Sequence, residues 1–155
     1  MITRSVNEKD IPEVARLLMH VHGVHSEKRP DIFKRGSRKY TDKELKELFK
    51  NDLYRIFVAE DGGKIAGYIF CILEVTENDK SLADRKNLYI DDLCVDPSYQ
   101  RRGVGTLLLE RARACAREEK CNSVTLNVWQ LNEGAMKFYE KAGFKVMKTV
   151  LEEIL

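Results

Sequence analysis

The spacing of apolar positions changes several times along the chain, and each change marks an element. Residues 2–6 read as a short strand, after which Ile11, Val14, Ala15, Leu17, Leu18 and Val21 recur at helical spacing. Asn7 can cap that helix, and Pro12 fits only near its first turn. Thr41-Asp42-Lys43-Glu44 is a capping box that opens a second helix through Leu45, Leu48 and Phe49. A polar, basic connection over residues 22–40 lies between the two. Residues 55–60 and 64–74 are rich in Ile, Val, Phe and Tyr and flank Asp61-Gly62-Gly63, which predicts an antiparallel hairpin. A strand over 87–95, a helix from about 103 to 119 and a strand over 123–128 then form a βαβ unit with parallel strands. Asn132 caps a shorter helix that stops at Gly143, and the alternation from Phe144 onward predicts a final strand or two. The expected fold class is α/β, with a mixed central sheet whose antiparallel N-terminal half precedes a parallel crossover, flanked by helices.

Composition narrows the class. A length of 155 residues suits one domain over 1–155 with one sizeable core. With 27 Lys and Arg against 25 Asp and Glu, the net charge of +2 gives no general argument for nucleic acid or a membrane surface as partner. No apolar run approaches the ~20 residues needed to cross a bilayer, and the N-terminus carries no signal-like stretch, so a cytoplasmic address is expected. Cys71, Cys94, Cys115 and Cys121 form no Cys-x-x-Cys pair and have no histidine at metal-ligand spacing. They read as reduced thiols, mostly buried as small hydrophobes, with no metal site.

The segment from Asp96 to Leu109 carries the chemistry. It joins the strand at 87–95 to a helix whose first turn holds Gly103 and Gly105 and has no Ser, Asp or Asn cap. Such a start leaves the first backbone N–H groups free and aims them, with the positive end of the helix dipole, at an anion. Arg101 and Arg102 add charge beside it. A dinucleotide fingerprint would need a third glycine and an acidic residue about 20 positions on, and a Walker loop would need Gly-Lys-Ser/Thr. Neither is present, so the phosphate loop is of another kind.

That segment, Gln100-Arg101-Arg102-Gly103-Val104-Gly105, together with Asn132-Glu133-Gly134-Ala135-Met136-Lys137-Phe138-Tyr139-Glu140-Lys141-Ala142-Gly143-Phe144, resembles the two hallmark motifs of the GNAT N-acetyltransferase superfamily. The resemblance implies acetyl-CoA as co-substrate, its pyrophosphate cradled at Gln100, Arg101, Arg102, Gly103, Val104, Gly105 and Thr106. It also implies a splayed gap between the two parallel strands, where backbone groups of Leu93, Cys94 and Val95 pair with the pantetheine arm. Asn132 and Lys141 are placed with the cofactor by the second motif, and Tyr139 takes the role of general acid toward the leaving thiolate. The competing reading has Phe138 and Tyr139 merely packing their helix. In polyamine acetyltransferases, which the strand locally resembles, Asp91 falls where a glutamate meets the amine. On a regular strand Asp91 and Asp92 point to opposite faces, whereas a bulge would bring Asp92 into the cleft.

The acceptor side rests on His22 and His25, which share a helix face, with Arg29, Phe33 and Trp129 as further candidates. The expected function is transfer of acetyl from acetyl-CoA to a primary amine, on a small molecule or a protein, by direct nucleophilic attack. A non-catalytic acetyl-CoA-binding regulatory module is the alternative, and a nucleic-acid-binding domain is a distant third. A homodimer is compatible with the resemblance.

Overall fold

The computed structural model describes residues 1–155. Five strands form one sheet in the order β1 (Ile2–Ser5), β2 (Tyr54–Asp61), β3 (Lys64–Thr76), β4 (Arg85–Val95), β5 (Ser123–Leu126). The first four pair antiparallel and β4 pairs parallel with β5. The helices are α1 (Ile11–Lys28), α2 (Asp42–Leu48), α3 (Val104–Glu118) and α4 (Glu133–Lys141). No helix is long and apolar enough to cross a membrane.

Strand alternation divides the apolar side chains between the two faces of the sheet. Phe57, Ile69, Cys71, Leu88 and Ile90 meet Val104, Leu108 and Leu109 of α3 on one face. Ile56, Val58, Tyr68, Phe70 and Cys94 meet Val14, Leu17 and Leu18 of α1 and Leu45 of α2 on the other. Gly67 of β3 is required by close approach, since a Cβ there would lie 2.6 Å from the Cys94 carbonyl oxygen.

Three sequence expectations change. The first helix does not yield to a loop near His22 but runs on to Lys28, with Pro12 in its first turn. One internal glycine, Gly23, costs about 1 kcal/mol and is tolerated, whereas Pro30 biases Arg29 away from helical backbone and ends the run. Asn7 caps a short 3-10 turn over Glu8–Asp10 that feeds α1, in a reciprocal capping box with Asp10. The final strand does not form: residues 144–155 take no regular secondary structure and pair with no strand. Gly143 takes φ +93 after α4, and the chain beyond it joins no strand, so the alternating pattern has no ladder there.

The ladder also contains a fault. Phe70 pairs with Asp92 but Cys71 pairs with Ile90, so Asp91 is an extra residue in a β-bulge.

Candidate active site

The loop before α3 leaves its N–H groups free. Gly103 occupies the N-cap at φ +81 with no side-chain cap, and Arg101 is also left-handed at φ +59. The first helical bond runs from Leu107 N–H to the Gly103 carbonyl at 3.0 Å, and no intrachain acceptor takes the N–H groups of residues 101–106. Left-handed residues alternating with ordinary ones turn successive N–H groups toward one concavity, which suits an anion. Asp96 braces the approach. It accepts hydrogen bonds from Ser98 N–H at 2.8 Å and from the Arg16 guanidinium at 2.6 Å, and these, with the Ser98 hydroxyl foremost, lower its carboxyl to about 2. The Arg102 guanidinium stacks 4.9 Å over the Tyr99 ring.

Beside that loop the sheet opens. Pairing between β4 and β5 ends at Ile90 with Leu126, so the β5-facing edge of Leu93, Cys94 and Val95 meets no strand. Gly105 lies at the join of three elements, for a Cβ there would sit 3.4 Å from Phe138 of α4 and 3.7 Å from Val95 of β4. The Cys94 side chain points away from the gap and under α1, its sulfur 3.8 Å from the Leu17 carbonyl. Burial pushes this thiol up to about 12, which makes it a poor nucleophile.

The bulge turns both carboxylates to the α1 face, so the regular-strand expectation of opposite faces is corrected. Asp91 accepts a hydrogen bond from the Tyr40 hydroxyl at 2.8 Å and pairs with the Lys39 ammonium at 2.8 Å. Asp92 accepts one from the Tyr68 hydroxyl at 2.9 Å. Part of Asp92 faces the open gap, yet it lies deep among protein atoms, and that depth pushes its carboxyl up to about 6 against the opposing effects of Tyr68 and Lys39. Tyr139 is packed edge-to-face by Phe138 and Phe144, at 5.0 and 5.6 Å between ring centres. Burial first, and then the neighbouring Asp92 charge, raise its phenol well above the usual range and keep it an acid. Its hydroxyl makes no hydrogen bond within the chain.

All five acceptor candidates meet. Phe33 lies edge-on to His22, His25 and Trp129, with ring centres 5.8, 5.2 and 5.4 Å away, and Arg29 and Lys28 complete the recess. His22 Nε2 is 2.6 Å from the Lys34 carbonyl. Burial, then His22, Lys28 and Lys39, lower the His25 imidazole, which is therefore neutral at neutral pH. Arg29 is held by Asp31 and by Glu152 of the C-terminal segment. Asn132 accepts from Ala135 N–H at 3.2 Å and borders the same recess. Gln100, Thr106 and Lys141 are exposed and contact none of these groups.

Sequence reasoning assigns no role to Tyr40 or Tyr68 and counts Lys39 only among the basic residues of the 22–40 connection, yet these three hold the two carboxylates. Tyr68 carries a signal: a phenol within a fully apolar strand needs a buried partner. Lys39 and Tyr40 carry none, because a loop residue's long-range partner has no local pattern. No group of three or more His, Cys, Asp or Glu is arranged to hold a metal.

A model of the acetyltransferase (GNAT) family matches residues 21–144. N-alpha-acetyltransferase 30 of Homo sapiens is 30% identical over 151 residues, 91% of this chain and 39% of the human protein. The chain spans less than half the length of several curated relatives it matches. A tetramutant of the BH1408 protein from Bacillus halodurans superposes with TM-score 0.96 at 30% identity, covering 100% of both chains. The aminoglycoside N-acetyltransferase AAC(6')-Iy, solved in complex with CoA, superposes with TM-score 0.69 at 16% identity over 99% of this chain and 98% of its own, which is a likeness of fold.

Proposed function

This chain belongs to the acetyltransferase (GNAT) family, and we propose that it carries acetyl from acetyl-CoA to a primary amine by direct attack. The observation that carries the reading is convergence: the free N–H groups of residues 101–106, the unpaired edge of Leu93, Cys94 and Val95, and Tyr139 with Asp92 all border one gap. The loop suits the pyrophosphate through backbone donors and the dipole of α3. The β4 edge suits a strand-like arm bearing amides, and a solved relative by fold contains CoA.

At that gap the acceptor arrives as an ammonium and must lose a proton before its lone pair can attack. A carboxyl raised to about 6 is ionised at neutral pH and still basic enough to take that proton, directly or through a water, so Asp92 is assigned as base and Asp91 as the group that orients the cation. The amine nitrogen forms its bond to the acetyl carbon as the carbon–sulfur bond breaks, and the departing thiolate takes a proton from the Tyr139 hydroxyl. Lys28, Arg29, Phe33 and Trp129 would then meet the acceptor beyond its amine. Small amines and protein amines both fit this chemistry, and the human relative named above is an N-alpha-acetyltransferase.

The test is acetyl-CoA titration followed by thiol release with a panel of polyamines, aminoglycosides, amino acids and peptides. Amine-dependent CoA release with acetylated product is expected. Tight acetyl-CoA binding with no release for any amine class would instead make the protein a regulatory binding module.

A further inference from the structure

Lys39 puts a cation where an acceptor's cation has to go. Its ammonium lies 2.8 Å from Oδ2 of Asp91, the carboxylate assigned above to orient the incoming amine, and it pairs with no other acid. The Tyr40 hydroxyl donates to that same oxygen at 2.8 Å, and Oδ1 takes no hydrogen bond from the chain. Since no buried side-chain polar atom is left without a partner, Oδ1 must be open to solvent. The Lys39 side chain is itself 43% exposed, against 12% for Asp91, so its ammonium is held at the mouth of the cleft with donors to spare. Its charge acts on Asp92 and on His25, that is, on the assigned base and on the recess around Phe33. In that recess Lys28 has no acidic partner either, its ammonium donating to the Leu131 carbonyl at 3.0 Å.

A simple cation meets a conflict here. An ammonium arriving at Oδ1 shares the carboxylate with Lys39, and the two like charges then stand close together in a partly desolvated cleft. A carboxylate carried beside the amine removes the conflict. The amine then pairs with Asp91, the carboxylate pairs with Lys39, and the charges alternate in sign around a closed ring. We infer, on the acetyl-transfer reading above, that Lys39 is the specificity-determining residue of the acceptor site, and that it selects an amine bearing its own carboxylate close by. A free amino acid has that chemistry, and so does a chain that begins with Asp or Glu. Polyamines and aminoglycosides are disfavoured, because their further charges are positive and would face both Lys39 and Lys28. Lys39 forms no bond and moves no proton in the transfer. It fixes the acceptor's carboxylate and so aims the amine at Asp91.

The experiment compares acceptors that differ only in that carboxylate: leucine with leucinamide, and an aspartyl dipeptide amide with its asparaginyl counterpart. The amine without a neighbouring carboxylate is the less basic and loses its proton more readily, so a preference for the acid runs against intrinsic reactivity. Steady-state CoA release should give a kcat/KM about tenfold or more higher for the acid in at least one pair, mainly through KM. The pair that shows it tells a free amino acid from a chain terminus as the source. Lys39→Gln should bring the ratio close to one and Lys39→Arg should keep it, with acetyl-CoA affinity by calorimetry unchanged in both. Equal rates for acid and amide in both pairs, or a preference that survives Lys39→Gln, would overturn the role of Lys39 and leave acetyl transfer standing. No CoA release with any amine would remove the transfer reading instead. Calorimetry of the same pairs on the CoA-loaded chain then decides: tighter binding of the acid that is lost in Lys39→Gln upholds the selection, and equal binding ends it.

Discussion

The loop at residues 101–106 and the recess around Phe33 are built by different means. The loop acts through main-chain N–H groups, and its side chains turn elsewhere: Arg102 stacks on Tyr99, Val104 enters the core, and Arg101 and Thr106 stay in solvent. The recess acts almost wholly through side chains brought from α1, the irregular residues 29–41 and the segment after β5. A site made of backbone is fixed by conformation, so it can hold one donor while its side chains vary. A site made of side chains is fixed by identity, so it can change acceptor without changing the fold. The proposed chemistry, at the neighbouring Tyr139 and Asp92, is assigned to the seam between them.

The contrast can be broken at that seam first. Tyr139→Phe keeps the ring between Phe138 and Phe144 and removes only the hydroxyl, so turnover should fall by about 10²-fold or more while acetyl-CoA affinity is little changed. Wild-type turnover in the folded variant, measured by steady-state CoA release, would make the residue a packing group. Next comes the loop: Gly103→Val forces a β-branched residue into φ +81, and calorimetry should find acetyl-CoA binding weaker by about tenfold or more in a protein that still folds, its melt lower by about 2–8 °C from the strain. The same change should leave the acceptor's KM alone, and a shift in KM without one in acetyl-CoA affinity would reverse the assignment of the two halves.

A smaller effect sharpens the role of Asp92. Its folded carboxyl lies at about 6 against an ordinary 3.8, so the native state favours the protonated form. That stabilisation is complete below the unfolded value and is lost as pH rises through about 6, above which the buried charge is a cost. With its edge open to the gap, the cost should be about 1 kcal/mol, and Asp92→Asn, which still accepts from Tyr68, should melt about 2–4 °C higher at pH 8 but not at pH 4. Wild-type kcat/KM should rise with pH through about 6, and that limb should vanish in the variant. Arg102→Ala should matter least, weakening acetyl-CoA by about two- to threefold, because screening leaves a surface charge little to add to backbone donors.

The same division separates what is legible in the amino-acid sequence from what is not. The two glycines, the missing cap and the strand-to-helix junction mark the loop within a dozen residues, and all of that survives in the fold. The strand order and the helix starts at Thr41 and Asn132 are legible for the same reason, since caps and periodicity are local. His22 and His25 can be put on one face, but their meeting with Phe33 and Trp129 depends on residues about a hundred positions apart. The strand expected from Phe144 does not form because alternation reports the capacity to pair, not the presence of a neighbour. The bulge at Asp91 is only one option for the sequence, for no residue type there demands it.

That extra residue acts as a phase shift within β4. Before it, Leu88 and Ile90 face α3; after it, Leu93 and Val95 do, so the odd-and-even rule of the strand is inverted across one position. Deleting Asp91 would remove the partner of Tyr40 and Lys39, and beyond that it would send either the Leu88 half or the Cys94 half of the strand to the wrong side of the sheet. Substitution at 91 should therefore be forgiving to the fold where deletion is not. Any relative aligned with a gap at this position has either lost the cleft or moved its phase shift to a neighbouring strand.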